Sequence, residues 1–159
     1  MKKTVVVTIS DAKVSNNPAD ILTTYSLGSC IGVSLYDACV GVGGLFHYQL
    51  PDSSLHPDRA TEKPFMFADT GLKALLSKLM SMGARKENLN VTVAGGAAIA
   101  AAPKGFDIGK RNHLAIRKIM WKAGIRIRNE DVGGATPRNL YLDIENGNVT
   151  IKTFGVSRN

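Results

Sequence analysis

Cys30 and His47 are the residues of this chain whose types and spacing best suit shared chemistry: a thiol that can become a nucleophile and an imidazole that can take its proton. Cys30 ends the run Thr24-Tyr25-Ser26-Leu27-Gly28-Ser29-Cys30. His47 follows across two β-like stretches, residues 31–36 and 40–46, with Asp37-Ala38-Cys39 between them as a turn. A hairpin centred between Ala38 and Cys39 sets Cys30 directly opposite His47. Opposed residues of an antiparallel pair hold their Cβ atoms about 4.5–5.5 Å apart on one face, which suits a thiol–imidazole hydrogen bond. A slip of one residue would send the two side chains to opposite faces. Gly28 leaves room where a substrate amide would approach, and the backbone N–H groups around Ser29 and Cys30 are candidates to bind an oxyanion. The imidazole also needs an orienting partner, and either Thr24 or Thr23 on the preceding strand offers a hydroxyl or a carbonyl. On spacing alone, the competing reading of Cys30 is a small buried hydrophobe, the commoner fate of a strand cysteine.

The other reactive side chains offer less. Cys39 lies near a turn with no histidine beside it, His56 falls in a long polar loop, and His113 sits at a helix start, where solvation is the expected state. Two cysteines and the scattered histidines lack the spacing of a zinc site, and no metal is expected. Cys30 and Cys39 would sit at the base and tip of one hairpin, a poor geometry for a bridge. Gly95-Gly96-Ala97 after a strand looks like a fragment of a phosphate loop, but no G-x-G-x-x-G or Gly-Lys-Ser/Thr run accompanies it. No nucleotide or other cofactor is expected. Gly133-Gly134 reads as a turn or a close backbone approach.

The elements that must position these residues follow from periodicity. Strands are expected at the start of the chain and over residues 21–26, followed by the hairpin. Residues 50–64 have the composition of a long surface loop. Apolar residues at helical spacing run from about 65 to 82 and stop at Gly83. A short strand over 90–94 leads to a second helix from about Asn112 to Ala123, with Asn112 placed to cap its first turn. Strands follow over 125–130, 139–143 and 149–154, the last two joined by the turn Asn146-Gly147. This order predicts an α+β layered sandwich, two main helices packed on a mixed β-sheet core, with all 159 residues in one domain.

Composition agrees with that class: 44% of residues are hydrophobic and 21% charged. No apolar run approaches a membrane span, so no membrane insertion is expected. The apolar start is too short for a secretion signal and is interrupted by Asp11 and Lys13, which suggests a cytoplasmic protein. The net charge of +7 favours an acidic partner. No basic stripe is interleaved with aromatic residues, so nucleic acid ranks low among such partners.

Taken together, the ordered motifs resemble the CheD family, the bacterial chemoreceptor glutamine deamidases. They are Leu27-Gly28-Ser29-Cys30, His47 with Leu50-Pro51, Ala68-Asp69, Gly95-Gly96-Ala97, Ile108-Gly109-Lys110-Arg111-Asn112, and Asp131-Val132-Gly133-Gly134 with Arg138. The resemblance implies a cysteine hydrolase with Cys30 as nucleophile, His47 as base and acid, and Thr24, six residues before the cysteine, as the third member. It implies that particular glutamines of chemoreceptor cytoplasmic domains become glutamates, with hydrolysis of methyl-glutamate esters as a side activity. Gly28 and Ser29 would support the oxyanion. Arg111, Lys110 and Arg138 are candidates to contact the substrate helix, with solvated surface charge as the alternative for each. Asn112 is either a helix cap alone or a support for the site. Family members often carry a phenylalanine after Gly-Gly-Ala on the surface that meets the phosphatase CheC. Here Ala100 holds that place, which weakens the expectation of a CheC-type partner. The rival function is a non-enzymatic regulatory partner of such a phosphatase or of the receptor array.

Overall fold

The computed structural model describes residues 1–98 and 107–153, and over these it is a three-layer α+β sandwich. One sheet has four strands in the order β1 (Lys3–Val6), β3 (Asp20–Leu27), β8 (Arg138–Asp143) and β9 (Val149–Thr153). The other has five, in the order β2 (Asp11–Ser15), β5 (Val42–Tyr48), β4 (Ile31–Asp37), β6 (Leu89–Gly95) and β7 (Ile127–Val132). Both are mixed: β1 runs parallel to β3 and β7 parallel to β6, while the remaining pairs are antiparallel. A short helix α1 (Pro57–Glu62) precedes the two main helices, α2 (Ala68–Ser81) and α3 (Ile108–Lys122). No described helix is long and apolar enough to cross a membrane.

The five-stranded sheet is the middle layer, which is why every residue of β4 and β5 is buried. Alternation divides each strand between two cores. Ile31, Val33 and Leu35 meet Leu72, Leu75 and Leu79 of α2 and Ile116 and Met120 of α3 on one side. On the other side, Leu45 and Ala94 pack against Leu22, Leu27, Leu140 and Leu142 of the four-stranded sheet. Burying each such aliphatic side chain stabilises the fold by about 1.5–3 kcal/mol. Gly71 lets α2 lie directly on β5, since a Cβ there would stand 2.1 Å from the Phe46 ring.

The layered α+β architecture agrees with the expectation from sequence, and four local features differ. The β-core is two sheets rather than one. β2 is an additional strand, hidden in sequence because Asp11-Ala12-Lys13 carries charge; it forms an edge of the middle layer, where charge is tolerated. The long loop folds into helical turns at Ser53–Leu55, Pro57–Glu62 and Pro64–Met66. Helix α3 begins at Ile108, with the Asp107 carboxylate accepting from the Lys110 N–H at 3.2 Å. Asn112 therefore lies inside the helix and is not its cap. Ala100 and Phe154 fall outside the described residues.

Candidate active site

The β4–β5 hairpin forms, but in a register different from the one expected. Gly32, not Cys30, is the Cα partner of His47, and Asp37 pairs with Val42. The connecting loop is Ala38-Cys39-Val40-Gly41, where Gly41 takes φ +64 and its N–H donates to Asp37 O at 2.9 Å. The Asp37 carboxylate also accepts from the Cys39 N–H. Cys30 and His47 are thus not directly opposed. The pairing moves by two residues, and an even shift preserves the face of every side chain. Both residues therefore still belong to the face that meets the four-stranded sheet, and Cys30, just before β4, packs against that inter-sheet core.

A cavity of about 340 Å³ opens at this end of the inter-sheet layer, lined by Cys30, His47, Tyr25, Ser26 and the segment Val6-Val7-Thr8-Ile9. Strand β3 shapes one wall through a bulge. Its pairing with β8 shifts between Thr24 and Leu27, and Ser26 sits at φ +58 with its N–H held by Asn139 Oδ1 at 3.0 Å. The bulge turns Tyr25 and Ser26 outward after Thr24 has turned inward. Nothing in the sequence marked residues 6–9 as a wall of this cavity.

His47 is 4% exposed, and its environment sets its tautomer. The Thr24 hydroxyl donates to Val7 O at 2.7 Å, so its lone pairs face His47 Nδ1, also at 2.7 Å. Nδ1 must then carry the proton and donate it. The lone pair of the neutral ring is left on Nε2, a buried atom with no hydrogen-bond partner among the described residues. Thr23, the other candidate, turns its hydroxyl to Ile21 O instead.

Burial holds the His47 imidazole down to about 4, from an ordinary 6.5. Burial likewise raises the Cys30 thiol, partly opposed by a backbone hydrogen bond. At neutral pH the pair rests as thiol and neutral imidazole, the state in which the ring can accept a proton. A stability prediction follows. His47 binds its proton more weakly in the folded chain, so its contribution is full above about pH 6.5 and lost as the pH falls through about 4. The loss approaches about 3 kcal/mol. Urea unfolding at pH 7 and pH 4.5 should show a smaller acid destabilisation in His47→Gln than in the wild type.

The Cys30 loop is fixed from three sides through its backbone. Gly28 O accepts from Ala97 N at 2.8 Å, Cys30 O accepts from Gly96 N at 2.9 Å, and Ser29 O accepts from Asn112 Nδ2 at 3.0 Å. Asn112 also donates to Gln49 O at 2.9 Å, so one buried side chain joins the residue before Cys30 to the strand exit after His47. Gly95-Gly96-Ala97 is a backbone platform and not a phosphate loop. Gly95 takes φ +111, and a Cβ there would stand 2.2 Å from Cys30 O. Gly28, Ser29, Arg111 and Asn112 do not line the cavity themselves. Lys110 and Arg111 are exposed on the first turn of α3.

Arg138 is not a surface contact for a substrate. It is 1% exposed and donates to Asp131 Oδ1 at 3.0 Å, Gly95 O at 2.9 Å and Gly133 O at 2.7 Å. It braces the platform beneath Cys30 and explains the turn at Gly133-Gly134. Removing the guanidinium takes the donors from the Gly95 and Gly133 carbonyls and leaves a void at a 1% exposed position, so Arg138→Ala should cost about 3 kcal/mol in denaturant unfolding. His113 lies 3.1 Å from Glu130, away from the cavity. Among the described residues, no cluster of His, Cys, Asp and Glu has the makings of a metal site.

Comparison with known proteins supplies a relationship that geometry alone does not. A protein 45% identical over 151 residues, named "Probable chemoreceptor glutamine deamidase CheD" in Solibacter usitatus (strain Ellin6076), aligns with 95% of this chain and 89% of its own length. "Probable chemoreceptor glutamine deamidase CheD 1" of Syntrophus aciditrophicus (strain SB) is 50% identical over 95% of this chain and 94% of its own length. Alignments of that extent span the segment from Thr24 to His47. Among solved structures, the Bacillus licheniformis hypothetical protein YfiH superposes with a TM-score of 0.48 at 13% identity, over 79% of this chain and 51% of that one. The family model described as "CheD chemotactic sensory transduction" matches residues 49–153, well over half of the chain. By that match and by relatives of such identity along nearly its whole length, the chain belongs to the CheD family.

Proposed function

We propose that this protein is a chemoreceptor glutamine deamidase: it hydrolyses glutamine carboxamides of receptor cytoplasmic helices to glutamate and ammonia, with Cys30 as nucleophile. One observation carries the mechanism. A buried imidazole, fixed through Nδ1 by Thr24 and with Nε2 unpartnered among the described residues, lines the same cavity as Cys30. The curated relatives' names supply the substrate class.

In the acylation step His47 Nε2 takes the thiol proton as Cys30 Sγ attacks the carboxamide carbon. The carbon–nitrogen bond then breaks, and the same proton leaves with ammonia. Water attacks the resulting thioester, giving a proton to Nε2. Collapse releases glutamate and returns that proton to the thiol. Thr24 keeps the ring in the productive tautomer and accepts from the imidazolium while it exists. The carbonyls of Gly28 and Ser29 are tied inward, so the trans peptides turn the N–H groups of Ser29 and Cys30 the other way, where they would meet the oxyanion. A methyl-glutamate ester would follow the same path with methanol leaving. The substrate places the work in the cytoplasm, and the whole chain acts as one catalytic domain.

The test is incubation with a purified receptor cytoplasmic fragment, following ammonia release and glutamine-to-glutamate conversion by mass. Release of ammonia matched by new glutamates at defined positions supports the reading. Stoichiometric binding without turnover sinks it and favours the regulatory-partner alternative.

A further inference from the structure

One face of α3, from Leu114 to Trp121, and the strand after the helix form a surface that the catalytic reading does not use. A groove of about 700 Å³ runs between α3 and β7, with Met120, Ile125 and Ile127 among the residues along it and Leu114 and Trp121 on the helix. Trp121, the only tryptophan in the chain, is 81% exposed, and Leu114 is 51% exposed. A large aromatic left in water beside other apolar groups marks a contact surface more often than chance exposure does.

Charge sets the chemistry of whatever covers it. Residues 114–130 carry Arg117, Lys118, Lys122, Arg126 and Arg128 against Glu130 as the one acid, a local charge of +4 within a chain total of +7. Glu130 Oε1 lies 3.1 Å from His113 Nε2 and 3.9 Å from Arg117 Nε. Among the described residues, Lys118, Lys122, Arg126 and Arg128 form no ion pair. Three of them are exposed along the groove: Lys118 from the helix, Arg126 from just before β7 and Arg128 from β7. Cations that line an apolar groove complement an acidic chain carrying a bulky apolar side chain.

We infer that the α3–β7 groove is a docking surface for an acidic protein segment with an apolar anchor, Trp121 and Leu114 packing on the anchor while Lys118, Arg126 and Arg128 meet its carboxylates. Two other anionic partners fit less well. A single strand of nucleic acid is held by a series of aromatic platforms, and here there is one. A bilayer surface would reach Trp121 but not the apolar residues inside a concavity. The groove lies on the helix side of the five-stranded sheet, whereas His47 faces the other side, three strands from β7 or about 14 Å at the usual spacing. A docked partner therefore leaves the Cys30 cavity open.

Trp121 is its own reporter, since no other tryptophan contributes emission. The full chain is titrated with a synthetic glutamate-rich helical peptide bearing leucine anchors, and in parallel with oligo-dT and with phosphatidylserine vesicles. The expected result is a saturable blue shift with the peptide that weakens with salt. The double variant Arg126→Glu/Arg128→Glu should bind the peptide at least about tenfold more weakly, with unchanged melting temperature and unchanged rate of Cys30 alkylation. Unaltered emission with the peptide, equal binding by the double variant, or binding to oligo-dT or vesicles as tight as to the peptide would each overturn the assignment.

Discussion

Cys30→Ala is expected to lower kcat/KM for deamidation of a receptor fragment by at least about 10⁴-fold, the scale on which loss of a covalent nucleophile acts. That factor corresponds to about 5.5 kcal/mol of transition-state stabilisation. The loss should fall on kcat, because the thiol bonds to the substrate carbon only once the reaction is under way. Cys30 is only partly buried, so its truncation leaves a small void and the melting temperature should change little. The check is steady-state ammonia release beside thermal unfolding of the same preparation. Activity within tenfold of wild type, in a folded variant, would remove Cys30 from the mechanism.

For His47→Gln the expected loss is about 10³-fold in kcat, within the range for a positioned general acid and base. The side chain is buried and its Nδ1 partner is fixed, so glutamine is the substitution that best keeps a donor toward Thr24. The informative comparison is the double variant with Cys30→Ala. Two groups that act on one proton form a unit, and the double variant should be no slower than the worse single variant. Multiplying losses would mean that the two residues act on separate steps. The wild-type acid limb adds a second readout: with the imidazole held down to about 4, kcat/KM should stay level well below pH 6 before falling. An acid limb centred near 6.5 would place the essential base elsewhere.

The hairpin was readable because β-branched and aromatic residues flank a polar turn, but its register was not. Register here depends on Gly41 in a left-handed conformation and on the Asp37 cap, which lengthen the loop and re-pair Gly32 with His47. Only because the change is even did the cysteine and histidine keep a common face. Thr24 and Thr23 were equivalent from the residues alone; a tertiary acceptor, Val7 O, distinguishes their hydroxyls. Asn112 read as a cap because Gly109, Lys110 and Arg111 interrupt the apolar period of α3. Its buried bridge between Ser29 O and Gln49 O is a contact between segments far apart in sequence. Arg138 read as surface charge for the same reason. Its three acceptors include Gly95 O, 43 residues away.

The central claim is a thioester at Cys30, and hydroxylamine tests it most directly. Wild-type protein and a receptor cytoplasmic fragment are incubated at neutral pH with and without hydroxylamine, and the fragment is then mapped by mass spectrometry. A thioester is captured by the stronger nucleophile, so glutamyl hydroxamate should form at the same positions that otherwise become glutamate, at the expense of glutamate, and only with an intact Cys30. Undiminished glutamate without hydroxamate, or conversion by Cys30→Ala at the wild-type rate, would contradict the account.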